Sequence, residues 1–296
     1  MTGETALPPY WIDEIDGVKV GFIGMTLEAT NTLVSQSGIN GWTFLDEADT
    51  ANALVPELQA QGVEAIIVLM HEGGSQTPPP GAVNACVGIS GPVVDINSRL
   101  DPAIDAVVTG HTHLPYNCLL NDPNGNPRIV TSAYSFGRVV SELNLVLDHR
   151  TGDVRRDLSG ATNHAVVRSQ LTADAAITAI INKWKVISDP IGKAQVGTIT
   201  ADIRRAFNGA AEDRGSESSA GNMIADAQLF ATQGNGAQIA FMNPGGIRSD
   251  LTFAKSGAEA VDGIVTYAEA FTFQPFSNVL MTMPMTGAQV VQVLED

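Results

Sequence analysis

The sequence predicts a layered α/β fold in its first half and a second, smaller α/β domain in its second. Three observations carry this expectation. Apolar, β-branched runs alternate with helical spacing over the first hundred residues; two of those runs end in His beside Gly; and beyond residue 113 the apolar spacing shortens to a period of two.

Taken in order, residues 18–24 read as a strand and residues 46–61 as an amphipathic helix with Leu54, Val55 and Leu58 on one face. Residues 65–70 form the next strand. The run from Asp105, bounded by Gly110, is a further short buried one. Residues 128–132 and 138–147 alternate as antiparallel strands do, with 148–153 as a turn. The polar stretch 155–169 closes the first domain. Residues 173–187 then carry Ile177, Ile180, Ile181 and Trp184 at helical spacing, which predicts a connecting helix. The second half offers a helix from Ser218 through 231, a strand over 237–242, a strand-like segment around Phe276 and an apolar helical pattern over 286–296.

The chemistry concentrates at strand ends. Val108-Thr109-Gly110-His111-Thr112-His113 puts two imidazoles on the loop leaving a strand, and Val68-Leu69-Met70-His71-Glu72-Gly73-Gly74 repeats the pattern. Ligands in open α/β sheets bind at the carboxyl ends of the strands, and imidazole is the commonest metal-ligand side chain. His111 and His113, two apart in an extended loop, suit a bridged pair of divalent cations better than a closed zinc site. The plain alternative is one surface His and one satisfied by a backbone carbonyl. His149 and His164, the other two of five, fall in polar turns and read as solvated. In the second half Arg248 follows Gly245 and Gly246 on a turn, so a ligand can approach the backbone while the guanidinium grips it. Its alternative is an ion pair with Asp250. Cys86 and Cys118 are the only cysteines and lie in loop-like sequence flanking the two His strands; a disulfide and two unrelated thiols both remain open, while no Cys-x-x-Cys spacing supports zinc.

These motifs together resemble a known family. Val-Leu-Met-His71-Glu-Gly and Gly110-His111-Thr112-His113 are similar to the later metal-binding blocks of the calcineurin-like metallophosphoesterases, in the branch containing the 5′-nucleotidases. Glu217-Ser-Ser-Ala-Gly221-Asn222-Met-Ile-Ala-Asp226, Asn243-Pro-Gly-Gly246-Ile-Arg248-Ser-Asp and Gln274-Pro275-Phe276-Ser-Asn278 resemble, in order and spacing, that branch's C-terminal substrate-binding domain. The resemblance implies part of a metallophosphoesterase β-sandwich flanked by helices over 1–160, a linker and connecting helix over 161–190, and part of the α/β C-terminal domain over 191–296. It implies two divalent ions (Mn, Zn, Co or Mg), with His71 and His111 on one and His113 helping to hold the other. It implies a nucleotide substrate contacted by Arg214, Asn243, Gly246, Arg248, Phe276 and Asn278, with Phe276 stacking on the base. Alone, Arg214 passes for a solvated charge and Phe276 for core. The activity implied is release of phosphate from nucleoside monophosphates by a metal-activated water.

The family's Asp-x-His, Gly-Asp and Gly-Asn-His-Asp/Glu blocks do not occur in this sequence, so no catalytic residue is assigned and the expected catalytic His falls outside it. Both ends read as cut, a second aromatic plate is expected past Asp296, and a chain with half a metal site is expected to be inactive alone. Other readings are a 2′,3′-cyclic-nucleotide phosphodiesterase, a nucleotide-sugar hydrolase, or a noncatalytic nucleotide-binding module. With 296 residues, 44% hydrophobic, the chain is long enough for about two domains. Its net charge of −16 argues against nucleic-acid binding and requires any phosphate site to gather its cations locally. No run reaches the ~18 apolar residues of a membrane span. Low Lys with abundant Gly, Thr and Ser fits an extracellular, periplasmic or cell-wall protein.

Overall fold

The structure is a computed structural model, which describes residues 5–34, 36–77, 81–209, 211–257, 259–276 and 278–295. Met1 and Asp296, the outer limits of the expected domains, lie outside that set. The chain divides into two units, residues 1–172 and 173–296.

The first unit runs β1 (Tyr10–Ile15), β2 (Val18–Met25), α1 (Thr30–Leu33), α2 (Glu47–Ala60), β3 (Ala65–Met70), α3 (Pro92–Arg99), β4 (Ile104–Thr109), β5 (Pro115–Asn121), β6 (Pro127–Ala133), β7 (Val139–Asn144), β8 (Leu147–Asp148), β9 (Asp153–Val154) and β10 (Gly160–Ala165). Six strands form a sheet in the order β1-β2-β3-β4-β6-β5. The central four are parallel, and the edge strands β1 and β5 are antiparallel to their neighbours.

Strand periodicity sorts the side chains between two cores. Ile66, Val68 and Met70 of β3 pack with Val55 and Leu58 of α2 and Val93 and Ile96 of α3. Ala65 and Ile67, pointing the other way, join Val20, Ala106, Ile129 and Val154, against which Leu143, Leu147 and Ala161 of the β7–β10 region lie. The sheet therefore carries helices on one face and a second β layer on the other. This is the layered α/β architecture expected for the first half of the chain.

The amino ends of the strands are held by buried charge. Arg156 pairs with Asp105 at 2.8 Å and Asp122 at 2.9 Å and donates to the Pro102 and Ile104 carbonyls. Arg128, fully buried, donates to the carbonyls of Asn97, Leu100, Ile104 and Asp101, and burial pulls it down to about 10. Burial pushes the Asp105 carboxyl up to about 6, against the Ile66 N–H and Arg156. At Asp122 the same burial is outweighed by the Asn126 N–H and Arg156, which hold it below the usual carboxylate range.

The second unit runs α4 (Ala175–Gly192), β11 (Gln195–Thr198), β12 (Phe207–Asn208), β13 (Ala211–Glu212), α5 (Ser219–Thr232), β14 (Ile264–Thr266), α6 (Tyr267–Phe273) and α7 (Gly287–Glu295). Its core joins Ala220, Ile224, Ile247, Leu251, Val265 and Phe273. Ser218 caps α5 by accepting from Gly221 N–H, and Thr266 with Glu269 forms a capping box on α6.

Several expectations need correction. The division after Thr172 falls inside the segment expected as linker and connecting helix, 161–190, but part of the stretch expected as polar linker is strand, because β10 pairs with β7. Residues 237–242 and, among the described residues, the segment around Phe276 form no strand: apolar alternation makes a strand only where a neighbour takes up its N–H and C=O groups. In α4 the spaced residues Ile177, Ile180, Ile181 and Trp184 are helical but between 52% and 59% exposed, so the pattern fixed the helix without burying its face.

At the sheet's carboxyl edge, a Cβ on Gly73 would run into the Gly110 carbonyl oxygen and stand 2.8 Å from Thr112 Oγ1. Only glycine allows the loops after β3 and β4 to touch there. Gly73→Ala is expected to destabilise by roughly 1–3 kcal/mol through overpacking and to shift the His71 and His111 ring resonances, whereas Gly24→Ala, where a Cβ meets nothing within 4 Å, should change neither. Thermal unfolding and histidine NMR would check both. At the opposite edge, Arg156→Ala should cost about 3–5 kcal/mol by stranding two buried carboxylates. Because the folded Asp105 is raised to about 6, its neutral form favours folding below about 4, and that contribution is lost as pH climbs through 6. The Arg156→Ala loss should thus be greatest above pH 6 and shrink on acidification through Asp105; urea titrations across pH 4–8 would show it.

Candidate functional site

Two of the three strand-end histidines come together in the first unit. β3 and β4 are adjacent and parallel, with Leu69 opposite Val108, so the residues just past both strands reach one edge. His71 extends the pairing of β3 with β2 by donating its N–H to the Met25 carbonyl, and Gly110, just past β4, donates across to the Glu72 carbonyl. The His71 and His111 rings then stand 5.2 Å apart at 66°, with the Gly110 backbone against His71. His113, two residues on, packs edge-on against Phe136 at 5.4 Å. His149 is exposed on the β8–β9 turn, and His164 pairs with Glu142 at 2.7 Å.

The donor chemistry here suits a divalent cation such as zinc, for which imidazole is a usual ligand. Thr112 Oγ1, between His111 and His113, is buried with no hydrogen-bond partner. Among the described residues the one trio of His, Cys, Asp or Glu with ligand atoms all within 4.8 Å of one another is Glu28, Asp46 and Glu47, so His71, His111 and His113 do not close on a single ion. The members of that trio already have structural tasks: Asp46 caps α2 and pairs with Arg99, and Glu47 accepts the Glu28 N–H.

Cys86 and Cys118 are bonded, tying the loop after β3 to β5. Gln76 and Asn84 reinforce that loop through the Pro115 carbonyl and the Asn163 backbone. Sequence reasoning missed Tyr134, Phe136 and Arg138. The Arg138 guanidinium lies 4.9 Å from the Tyr134 ring and 5.3 Å from that of Phe136, next to His113. Nothing in residue type marks them, because their association depends on left-handed backbone that aromatic residues seldom adopt.

In the second unit the predicted contacts gather on the turn Pro244–Gly246. The Arg214 guanidinium and the Asn243 amide flank Gly245, and Asn243 also borders the buried Gly246. Arg248 donates to the Gly245 carbonyl at 3.1 Å, and its guanidinium lies 5.5 Å from the centre of the half-exposed Phe276 ring. The ion pair considered for Arg248 is not formed: Asp250 pairs with Arg205 at 3.0 Å. Arg214 does pair, with Glu212 at 3.0 Å, and stays exposed. Asn278 is exposed just past Phe276. A cavity of about 210 Å³ adjoins the turn, lined in part by Glu217, Asn222, Phe241 and Pro244.

Comparison with known proteins agrees with both units. Residues 190–296 match the family described as 5′-nucleotidase, C-terminal domain. The chain is 36% identical to the cell wall protein Lmo0130 of Listeria monocytogenes over 97% of its own length and 36% of that protein's. It is 27% identical to the NAD 5′-nucleotidase of Haemophilus influenzae over 97% of its length and 52% of that protein's. The crystal structure of a 5′-nucleotidase precursor from Thermus thermophilus superimposes with a TM-score of 0.67 at 23% identity, covering 90% of this chain and 49% of that one. The chain thus spans between 36% and 52% of the length of the two curated relatives. Residues 190–296 thus match the C-terminal domain of the 5′-nucleotidases, and the chain shares the fold of a solved 5′-nucleotidase.

Proposed function

We propose that this chain is part of a nucleotide phosphoesterase, a hydrolase releasing phosphate from nucleoside monophosphates. The observation that most supports this reading is the approach of His71 and His111 to 5.2 Å at the carboxyl edge of the parallel strands. His71 and His111 would hold one divalent ion and His113 would contribute to a second. Ions of this type, when bound, polarise phosphoryl oxygens and lower the pKa of a bound water towards neutrality.

The chain's own residues do the recognition. Phe276 offers a half-exposed ring for a nucleobase. Arg248, oriented by the Gly245 carbonyl, directs a charged fork at an anionic or ribose oxygen, and Arg214 adds a second cation. The Asn243 and Asn278 amides supply neutral polar contacts, and the buried Gly246 keeps the turn free of side chain. In a chain with 32 acidic and 16 basic residues, Arg248 just past the turn, with Arg214 brought against Gly245, supplies local cations for an anionic ligand, Arg214 being shared with Glu212.

The site of action we infer is outside the cytoplasm, at the cell wall or in the extracellular or periplasmic space. The Cys86–Cys118 bridge suits an oxidising compartment, and the Listeria relative is named a cell wall protein. Among the described residues no helix is long and apolar enough to cross a membrane.

In the protein carrying this chain, phosphate release from AMP should need manganese, zinc or cobalt and stop on chelation; turnover unaffected by chelation would sink the metal assignment. A panel adding 2′,3′-cyclic nucleotides and nucleotide sugars fixes the substrate class. For binding, Arg248→Ala should weaken AMP by roughly 1.5–3 kcal/mol, and Phe276→Ala by roughly 1–3 kcal/mol while sparing a small aryl phosphate. Because the guanidinium rests on the ring, the double variant should lose less than the sum. Calorimetric titration of all four proteins measures this, and equal losses for AMP and aryl phosphate in Phe276→Ala would return the ring to a packing role.

A further inference from the structure

Five non-glycine residues are left-handed among the described residues, and four of them sit on two loops: His111 (φ 62°) and His113 (φ 55°) after β4, Tyr134 (φ 66°) and Phe136 (φ 59°) after β6. β4 and β6 are neighbours in the sheet, so both loops leave the same edge. Backbone of this kind persists where surrounding contacts over-determine it, and such contacts cluster at ligand sites.

Those contacts form one chain of rings and charge. The Phe136 ring meets the His113 imidazole at 5.4 Å and 68°, the edge-on arrangement aromatic pairs favour. Phe136 is 73% exposed, so burial does not hold it. The Arg138 guanidinium does, lying 5.3 Å from the Phe136 ring and 4.9 Å from the Tyr134 ring. Among the described residues Arg138 makes no carboxylate ion pair, although the chain carries twice as many acids as bases. Its position is set by the two aromatic faces.

We infer that Phe136, clamped by Arg138 and Tyr134, is a positioning residue that orients His113 as a metal ligand. The inference rests on the divalent-cation reading of the histidine edge. An imidazole binds only along the axis of one ring nitrogen, so a ring free to swing about its side-chain bonds spends part of its time misdirected. An edge-on aromatic neighbour narrows that freedom, beside the ring's other contacts, without competing for either nitrogen. His71 and His111 do not touch Phe136 in the ring contacts of the structure and depend on their own pairing.

The test uses the 296-residue chain with ¹⁵N-labelled histidine, its ring signals assigned by single His→Gln changes, titrated with zinc. In the unaltered chain zinc should move the His71, His111 and His113 signals. In Phe136→Ala the His113 signal should require about tenfold more zinc or higher, the range that outer partners of metal ligands command, while His71 and His111 titrate as before. Phe136→Tyr should restore His113, and far-ultraviolet circular dichroism should be the same in all three. Zinc that moves none of the signals in the unaltered chain removes the metal reading, and the inference with it. Zinc that moves His71 and His111 but not His113, or that moves His113 equally in Phe136→Ala, leaves the metal reading standing and overturns the role of Phe136.

Discussion

Parallel pairing of β3 with β4 is the constraint on which the histidine edge depends. Parallel strands end on the same side, and here the register sets Leu69 against Val108, so the chain leaves both strands at one level. Gly73 then lets the two loops approach until its own Cα faces the Gly110 carbonyl, a distance no side chain permits. The apolar burial on both faces of the sheet is what makes this register costly to shift. A slip by one residue would send Ile66, Val68 and Met70 out of the helix-side core and Ala65 and Ile67 into it.

The opposite edge is secured by different physics. Arg156 and Arg128 replace apolar packing with a buried network of two carboxylates and several backbone carbonyls. Such a network adds little net stability over a hydrophobic substitute, but breaking it is expensive because each remaining charge is left without water or partner. It also brings distant segments to one place: Asp105 opens β4, Asp122 follows β5 and Arg156 lies past β9. The same strand, β4, thus runs from a buried charge at one end to His111 just beyond the other.

The scarcity of cations makes the assignments of several arginines informative. Arg99 is shared among Asp46, Asp49 and Asp95, and Arg205 between Glu212 and Asp250. Arg138 and Arg248 instead rest on aromatic rings, Phe136 and Phe276, at the two places where ligands are proposed. Stacking on a ring orients a guanidinium while leaving its N–H groups directed outward, which ion pairing with a carboxylate does not.

By itself the sequence determined what depends on local pattern. The strand over residues 65–70, the helix capped by Ser218 and the His-bearing strand ends follow from apolar period, capping chemistry and glycine placement, all carried by neighbouring residues. It also marked the Pro244–Gly246 turn, because the glycines and Arg248 lie within a few positions of one another. Tertiary structure decided what depends on distant partners. Residues 237–242 have strand composition but no strand beside them, and β10 has linker composition but finds β7. Asp250 was open to Arg248 by proximity in sequence and was taken by Arg205, 45 residues away. The Cys86–Cys118 bond and the edge-on contact of Phe136 with His113 likewise join segments that no local spacing relates, since such contacts form only when the sheet sets separate strands and their loops side by side.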